Sequence, residues 1–374
     1  MKILVTGGAG FIGSHIVDAL IEKHEVVVLD NLEPQVHTKA KSKPDYLNEN
    51  ATYIFGDVRG QETLSKSIEG VELIFHEAAA VGVGQSMYQV EKYVEVNTMA
   101  TAKLLDILVN EEHEVKKLIV ASSMSIYGEG AYECENCGVV YPELRTEEQL
   151  KKREWEMKCP NCDNVVKPIV TGEDKPLHPT SIYAITKRDQ EEMCLNIGRA
   201  YGIPTVALRY FNVYGPRQSL NNPYTGVCAI FSSRIKNNNP PLIFEDGLQS
   251  RDFVSVHDIV EANMLVMKSS NADYEVFNVG YGDATNILEI AHVLIKLYSK
   301  DKELKPEITN KYRAGDIRHC FADISKIMNK IGYKPRVDFE EGMKEIVEWG
   351  EKEEAEDKFE EAHEELKARG LVEE

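Results

Sequence analysis

No run of about 18 consecutive apolar residues occurs in this 374-residue chain, so no membrane-spanning helix is expected. Basic residues are scarce beside acidic ones, 43 against 62, for a formal charge of −19. A nucleic-acid partner is therefore not expected, because polyanion binding needs clustered Lys and Arg to displace counterions. The opening stretch KILVTGG lacks the basic start, long apolar centre and cleavage site of a secretion signal, which points to a soluble cytoplasmic protein. Internal repeats are absent. Cysteine is sparse: of seven, Cys194, Cys228 and Cys320 are isolated and read as packed thiols, which leaves two Cys-x-x-Cys pairs. Part of the acid excess is local, since residues 340–374 hold 15 acidic and 5 basic side chains, a net of −10 that leaves −9 for the rest. That tail reads as a solvated helix.

Short β-branched runs at 3–6, 25–30, 52–55, 72–75 and 117–122 alternate with amphipathic stretches such as 12–22 and 90–111. Such alternation predicts an α/β architecture, a doubly wound parallel sheet covered by helices on both faces. The pattern breaks off at about 130–170 and resumes with a helix at 183–201 and a strand at 204–210. Further helices at about 227–237, 257–269, 286–299, 323–331 and 340–368, with short strands between, predict a smaller mixed α/β C-terminal unit. The expected division is a first domain at 1–215, interrupted by an insert at 130–170, a second region at 216–339 and an acidic C-terminal helix at 340–374.

Thr6-Gly7-Gly8-Ala9-Gly10-Phe11-Ile12-Gly13 lies where the first strand turns into the first helix, and Gly7, Gly10 and Gly13 satisfy G-x-x-G-x-x-G. Missing side chains let the backbone approach a pyrophosphate, while the helix N-terminus supplies amide donors. Asp30 ends the second strand, where a carboxylate accepts from both ribose hydroxyls; it would repel a 2′-phosphate, and no Arg follows it directly. The pattern is that of a Rossmann site for NAD. Asp57, in FGDVR, is placed to meet the adenine edge, with a helix N-cap for 61–69 as its alternative role. The small residues of HEAAAVGVG at 76–84 can pass close under the cofactor.

Tyr183 and Lys187, in SIYAITK behind Pro179, stand four residues apart on one helix face and can reach one ligand. A phenol is a poor base at neutral pH, and a neighbouring ammonium together with an oxidised nicotinamide would stabilise its anion.

With these two motifs in place, the chain resembles the extended short-chain dehydrogenase/reductases, and within them the nucleotide-sugar epimerases and dehydratases. The likeness runs through TGGAGFIG, LDNL, GDVR, HEAAAV, EVN at 95–97, SSMSIYG, YAITK, RYFNVYGPR, RDFVSVHDI and RAGDIRH. It implies that Ser123 hydrogen-bonds the reacting sugar hydroxyl, that Tyr183 is the base, and that Lys187 binds the nicotinamide ribose and lowers the tyrosine's pKa. It also implies cofactor contacts from Phe11, Ile12, Asn31, Val58, Ala78, Ala79, Ala80, Asn97 and Tyr210. Asn212, Arg251, Arg313 and Asp316 match positions that hold the nucleotide diphosphate and its sugar, with Ser86 and Ser125 beside them. Region 216–339 would then bind the nucleotide sugar, and members of the family commonly form homodimers through the helices equivalent to 90–111 and 183–201.

The reaction is written between Ser123 and Tyr127. The family's dehydratases carry an Asp-Glu pair directly after the hydroxyl residue, and its decarboxylases keep the Glu; here the two places hold Met124 and Ser125, which disfavours elimination. What remains is inversion at C4 through a 4-keto sugar, with NAD regenerated each turn. The narrower likeness is to 4-epimerases of dTDP-L-rhamnose, some of which share SSMSIYGEG, the cysteine pairs and NPYTGV at 222–227, with 4-epimerases of UDP-glucose and UDP-glucuronate beside them. A reductase consuming one dinucleotide per turnover is the rival reaction, and an NAD- or sugar-nucleotide-binding regulator the rival outside enzymology. The regulator would be expected to have a damaged Ser/Tyr/Lys set.

Cys134-x-x-Cys137 and Cys159-x-x-Cys162 are separated by 21 residues, close to zinc-ribbon spacing, and Gly138 and Pro160 suit the turns that aim thiolates at one ion. Four soft ligands leave no open position, so a structural zinc is expected, with two disulfides or iron as alternatives. The pairs fall between Tyr127 and Tyr183, as an insert in an otherwise intact enzyme, expected to roof the sugar pocket or border a subunit contact.

Overall fold

The structure is a computed structural model that describes residues 1–37, 43–224, 226–313 and 315–373. Seven strands form the central sheet: β1 (Lys2–Thr6), β2 (Glu25–Asp30), β3 (Thr52–Phe55), β4 (Leu73–His76), β5 (Lys117–Ser123), β6 (Thr205–Tyr210) and β7 (Val276–Val279). Their order is β7-β6-β5-β4-β1-β2-β3, and every pairing is parallel. The chain winds outward from β1 through β3, then crosses back to β4 and winds the other way, which opens a crevice at the carboxyl ends of β1 and β4.

The sheet is buried on both faces, so its strands are apolar at successive positions. Ile3, Val5, Val26 and Val28 meet Ile16, Val17 and Leu20 of α1 (Phe11–Leu20) in one core. Leu4, Val27 and Leu29 meet Leu64 and Ile68 of α2 (Gln61–Ile68) and Leu104, Leu105 and Leu108 of α3 (Ala100–Asn110) in the other. The long α4 (Ile182–Tyr201) joins that second core through Cys194 and Leu195. A third core lies among α5 (Val227–Lys236), α7 (Ile287–Leu297) and α8 (Phe339–Lys352), while α6 (Val256–Lys268) returns to the first.

Two expected helices differ in form. The stretch 90–111 is interrupted by a π-helical turn at Val94–Met99, which carries the fully buried Asn97. The stretch 340–368 is two helices, α8 and α9 (Phe359–Ala368). Between them, Asn221 Nδ2 donates to Glu354 O at 3.2 Å and Asn237 Nδ2 to Ala355 O at 2.9 Å, and Lys236 takes the carbonyls of Gly350 and Glu353. These donors satisfy carbonyls that a continuing helix would have used. The tail is not simply solvated: the hydroxyls of Tyr88 and Tyr224 donate to the Glu365 carboxylate at 2.9 and 2.8 Å, and Leu366 is buried. Val372–Glu373 then pairs antiparallel with Tyr312–Arg313.

The insert carries a three-stranded antiparallel sheet and a short helix at Glu147–Lys151. Ala131–Cys134 pairs antiparallel with both Gly138–Val140 and Lys167–Ile169. Among the described residues, no helix is long and apolar enough to cross a membrane.

Candidate active site

The glycine turn closes on itself too tightly for side chains. A Cβ at Gly7, whose φ is +70°, would lie 2.8 Å from Ala78 N, and one at Gly13 would lie 2.3 Å from Gly7 O. Helix α1 starts behind Gly10 with no side-chain cap, which leaves its first amides available to a ligand. Phe11 and Ile12 form its first turn. At the end of β2, Asp30 accepts from Ala9 N–H at 3.0 Å and Leu32 N–H at 2.8 Å, bonds that fix the carboxylate beside the turn. Both donors are backbone groups, so neither bond brings the positive charge that a 2′-phosphate would call for. The cradle and its carboxylate fit NAD.

Asp57 is not a helix cap. Gly60 precedes α2 without side-chain help, and Asp57 instead receives Arg59 Nε at 3.0 Å, Arg59 Nη2 at 2.9 Å and Asn31 Nδ2 at 3.1 Å. Burial opposes its ionisation, yet these bonds hold it down to about 2, so it is an anion at neutral pH. The neighbouring Val58 is buried in the second core.

The loop after β4 is tied to the helix of the reacting groups by a chain of buried bonds. Ala78 N–H donates to Thr6 Oγ at 3.2 Å, so the Thr6 hydrogen goes to His76 Nδ1 at 2.9 Å. Thr101 Oγ directs its hydrogen to Asn97 O at 2.7 Å and accepts from His76 Nε2 at 2.9 Å, which assigns the proton of neutral His76 to Nε2. Asn97 clasps Ala80, taking its N–H at 2.7 Å and giving to its carbonyl at 3.1 Å, and donates to Thr186 Oγ at 3.0 Å. Asn97 therefore holds the loop of Ala78, Ala79 and Ala80 in place, with its side chain turned inward.

Helix α4 begins where Ser181 Oγ accepts from Ala184 N–H at 3.1 Å and ends at Gly202 in the left-handed conformation, φ +70°. Its first turn brings Tyr183 near Ser123 at the end of β5, and one turn on Lys187 comes within the field of Glu77, which follows β4. Burial raises the Tyr183 phenol above its ordinary value, and the nearby Ser123 hydroxyl partly offsets this. Ser123 Oγ also accepts from Ser125 N–H at 3.1 Å and Ser125 Oγ at 2.9 Å, so Ser125 orients the hydroxyl. Burial lowers Lys187 to about 8, with Glu77 opposing the shift, and its ammonium donates to Gln190 Oε1 at 2.9 Å.

Glu77 escaped the sequence reading. It lies inside HEAAAV, accepts the Tyr210 hydroxyl at 3.1 Å, and is pushed by burial to about 7 against the pull of Lys187 and Tyr210. Its signal was available: it is the one ionisable group in an otherwise small and apolar stretch that follows a strand at the crevice. Tyr210 also accepts from Asn263 Nδ2 at 2.8 Å and pairs in register with Ser123 across β5 and β6.

On the far side, Asn212 Oδ1 is buried with no partner among the described residues, an acceptor that a ligand donor would satisfy. Arg251 and Arg313 come from separate short strands, and Arg313 Nε donates to Asp316 Oδ2 at 2.8 Å. Ser86 is fully buried and donates to Val83 O at 2.6 Å, so its hydroxyl is turned into its own helical turn. Thr225 of NPYTGV and Ala314 of RAGD lie outside the described residues.

The four cysteines converge. The Sγ atoms of Cys134, Cys137, Cys159 and Cys162 all lie within 4.8 Å of one another, and all four thiols are free. Gly138, φ +72°, closes the first Cys-x-x-Cys turn, and Asn161 N–H points at Cys159 Sγ at 3.5 Å in the second.

Comparison with known proteins returns two family matches: NAD dependent epimerase/dehydratase over residues 3–146 and GDP-mannose 4,6 dehydratase over 165–346. The gap between them contains the second cysteine pair. A dTDP-L-rhamnose 4-epimerase of Burkholderia thailandensis is 35% identical over 93% of this chain and 94% of its own. Among solved structures, the UDP-glucose 4-epimerase of Thermotoga maritima with UDP-glucose superposes with a TM-score of 0.74 at 34% identity, covering 94% of this chain and 99% of that one. The UDP-glucuronic acid 4-epimerase of Bacillus cereus, in complex with UDP-glucuronic acid and NAD, gives 0.75 at 28% identity, with coverages of 94% and 99%.

Proposed function

Since the chain belongs to the NAD-dependent epimerase/dehydratase family of nucleotide-sugar enzymes, and is an epimerase within it, we propose that it inverts C4 of dTDP-L-rhamnose. UDP-glucose and UDP-glucuronate are the alternative substrates. The observation that carries inversion is local: Ser123, at the end of β5, lies near enough to Tyr183 to ease the ionisation of its phenol, while Met124 and Ser125 follow it, with no acid and base to expel water. The preference for the dTDP sugar rests on the Burkholderia relative, similar over nearly the whole chain.

In this reading Tyr183 takes the proton of the sugar 4-hydroxyl and later returns it, Ser123 holds that oxygen in line, and Lys187 favours the phenolate through its charge. NAD, when bound, supplies the hydride acceptor and donor at C4. Gly7, Gly10 and Gly13 would hold its pyrophosphate, Asp30 its ribose, and Asp57 with Asn31 its adenine end. Asn212, Arg251, Arg313 and Asp316 would hold the substrate's nucleotide diphosphate while the 4-keto sugar turns over. Residues 1–215 then serve the cofactor and 216–339 the nucleotide sugar. A homodimer is supported by the apolar groove that Leu105, Val109, Met193 and Ile197 line between α3 and α4.

The four thiolates would hold a structural zinc in a ribbon-like insert. Ligands about 2.3 Å from one ion in a tetrahedron lie roughly 3.8 Å apart, and the separation of Cys134 and Cys162 Sγ is 3.5 Å. Full metal removal by a chelator is expected to lower both activity and melting temperature; unchanged values in verified metal-free protein refute a structural ion. The function itself is tested by incubating the protein with a panel of dTDP- and UDP-sugars and following the C4 proton by NMR. Inversion of dTDP-L-rhamnose is expected, and its absence across the panel refutes the proposal.

A further inference from the structure

Arg318 heads the fully buried side chains by volume among the described residues. A guanidinium out of water is tolerated only where carboxylates meet it, and three do: Asp246 at 2.7 and 2.9 Å, Glu245 at 2.9 Å and Glu156 at 2.6 Å. Glu156 belongs to the cysteine insert, three residues before Cys159. A second insert residue, Arg145, forks onto Glu245 at 2.9 and 2.8 Å and donates to Asp316 O at 3.2 Å. At the root of the insert, Glu129 accepts the backbone N–H groups of Arg318 at 2.7 Å and His319 at 2.8 Å. Two insert residues and Glu129 at its root thus grip one short segment, 316–319.

That segment aims both arginines assigned to the diphosphate. Arg251 gives its Nη1 hydrogens to Ser250 O at 2.8 Å and Arg318 O at 2.9 Å, and one Nη2 hydrogen to Ile317 O at 2.6 Å. Of its five donors, Nε–H and the second Nη2–H remain, and they lie along one edge of the plane as a fork suited to phosphate. Arg313 is held through Asp316, whose carbonyl Arg145 holds in turn. Any turn of the 317 and 318 carbonyls turns the Arg251 fork with them.

We infer that the cysteine insert is a positioning element for the nucleotide-diphosphate end of the substrate: Glu129, Arg145 and Glu156 fix segment 316–319, and that segment fixes the donors of Arg251 and Arg313. The inference rests on the proposed role of those two arginines. It predicts an effect on nucleotide affinity that is separate from the chemistry at C4 and from cofactor retention.

The test uses full-length, NAD-loaded protein carrying Glu156→Gln or Arg145→Lys, titrated calorimetrically with UDP and with dTDP, alongside kcat, KM, NAD content and melting temperature. Glu156 is 45% exposed in its side chain, so its substitution should not prevent folding. The expected result is nucleotide binding about tenfold weaker in each variant, with a matching rise in KM, and with kcat and bound NAD unchanged. Unaltered UDP and dTDP affinity in both variants overturns the inference, as does a loss of kcat and bound NAD in step with affinity, the mark of a merely structural role. Arg251→Ala separates the premise: wild-type nucleotide affinity there sinks the role of Arg251 itself, whereas weak binding there with normal binding in both insert variants sinks only the positioning.

Discussion

Replacing His76 by Gln should flatten the acid limb of the protein's stability curve. His76 is enclosed at the end of β4, bonded on one side to Thr6 and on the other to Thr101, and burial, with the charge of Lys187, lowers it from 6.5 to about 3. A lowered folded-state value means that the neutral ring is the native form, while the unfolded chain takes up a proton below 6.5. The stability this group contributes is therefore present above pH 6.5 and lost as pH falls toward 3. By pH 5 the loss is about 2 kcal/mol, at roughly 1.4 kcal/mol per pH unit. For a chain of this size that corresponds to a fall in Tm of about 2–3 °C. Gln keeps one donor and one acceptor but does not titrate. At pH 8 it should cost about 1–2 kcal/mol through imperfect replacement of two buried bonds, and between pH 8 and pH 5 it should lose less than the wild type by the amount above. Melting followed by circular dichroism on NAD-saturated protein measures both slopes. Parallel curves would mean that His76 protonates freely in the folded state and would refute the buried chain from Ala78 to Asn97.

Glu77→Gln should draw the alkaline limb of the kcat profile to lower pH. The carboxylate opposes the lowering of Lys187, so without it the ammonium is lost sooner as pH rises through and above its value of about 8; a deficit of about twofold to fivefold relative to wild type at pH 8.5 is expected, and an unmoved limb contradicts the coupling. Leu366→Ala, in α9, should cost about 2–3 kcal/mol and lower the Tm by a few degrees, because Leu366 is 7% exposed and packs over Gly84. An unchanged Tm would return the tail to solvent.

The legible parts of this protein are those whose cause is local. The runs ILVT, EVVVLD and KLIVAS form parallel strands whose middle positions are covered on both faces, and a strand so covered is apolar at successive positions between its ends. Gly7 and Gly13 could be read because no side chain fits those turns. The break at 353–358 could not be read. It depends on Lys236, Asn221 and Asn237 reaching across from another part of the chain to take carbonyls from an otherwise helical, charged stretch. Arg318 was invisible for the same reason: among so many charges, only the fold shows which guanidinium meets three carboxylates in the interior. Asn97 was placed at the cofactor, and its side chain proves to face Ala80 and Thr186, a distinction of direction that no spacing encodes.

The central claim is that the Tyr183 hydroxyl moves the proton at the sugar's C4 oxygen. Its most direct test is Tyr183→Phe, purified with NAD bound and incubated with dTDP-L-rhamnose, UDP-glucose and UDP-glucuronate under NMR observation. The account predicts a loss of C4 inversion of about a thousandfold on whichever sugar the wild type turns over, with NAD content preserved. Inversion at the wild-type rate by the phenylalanine protein would contradict it.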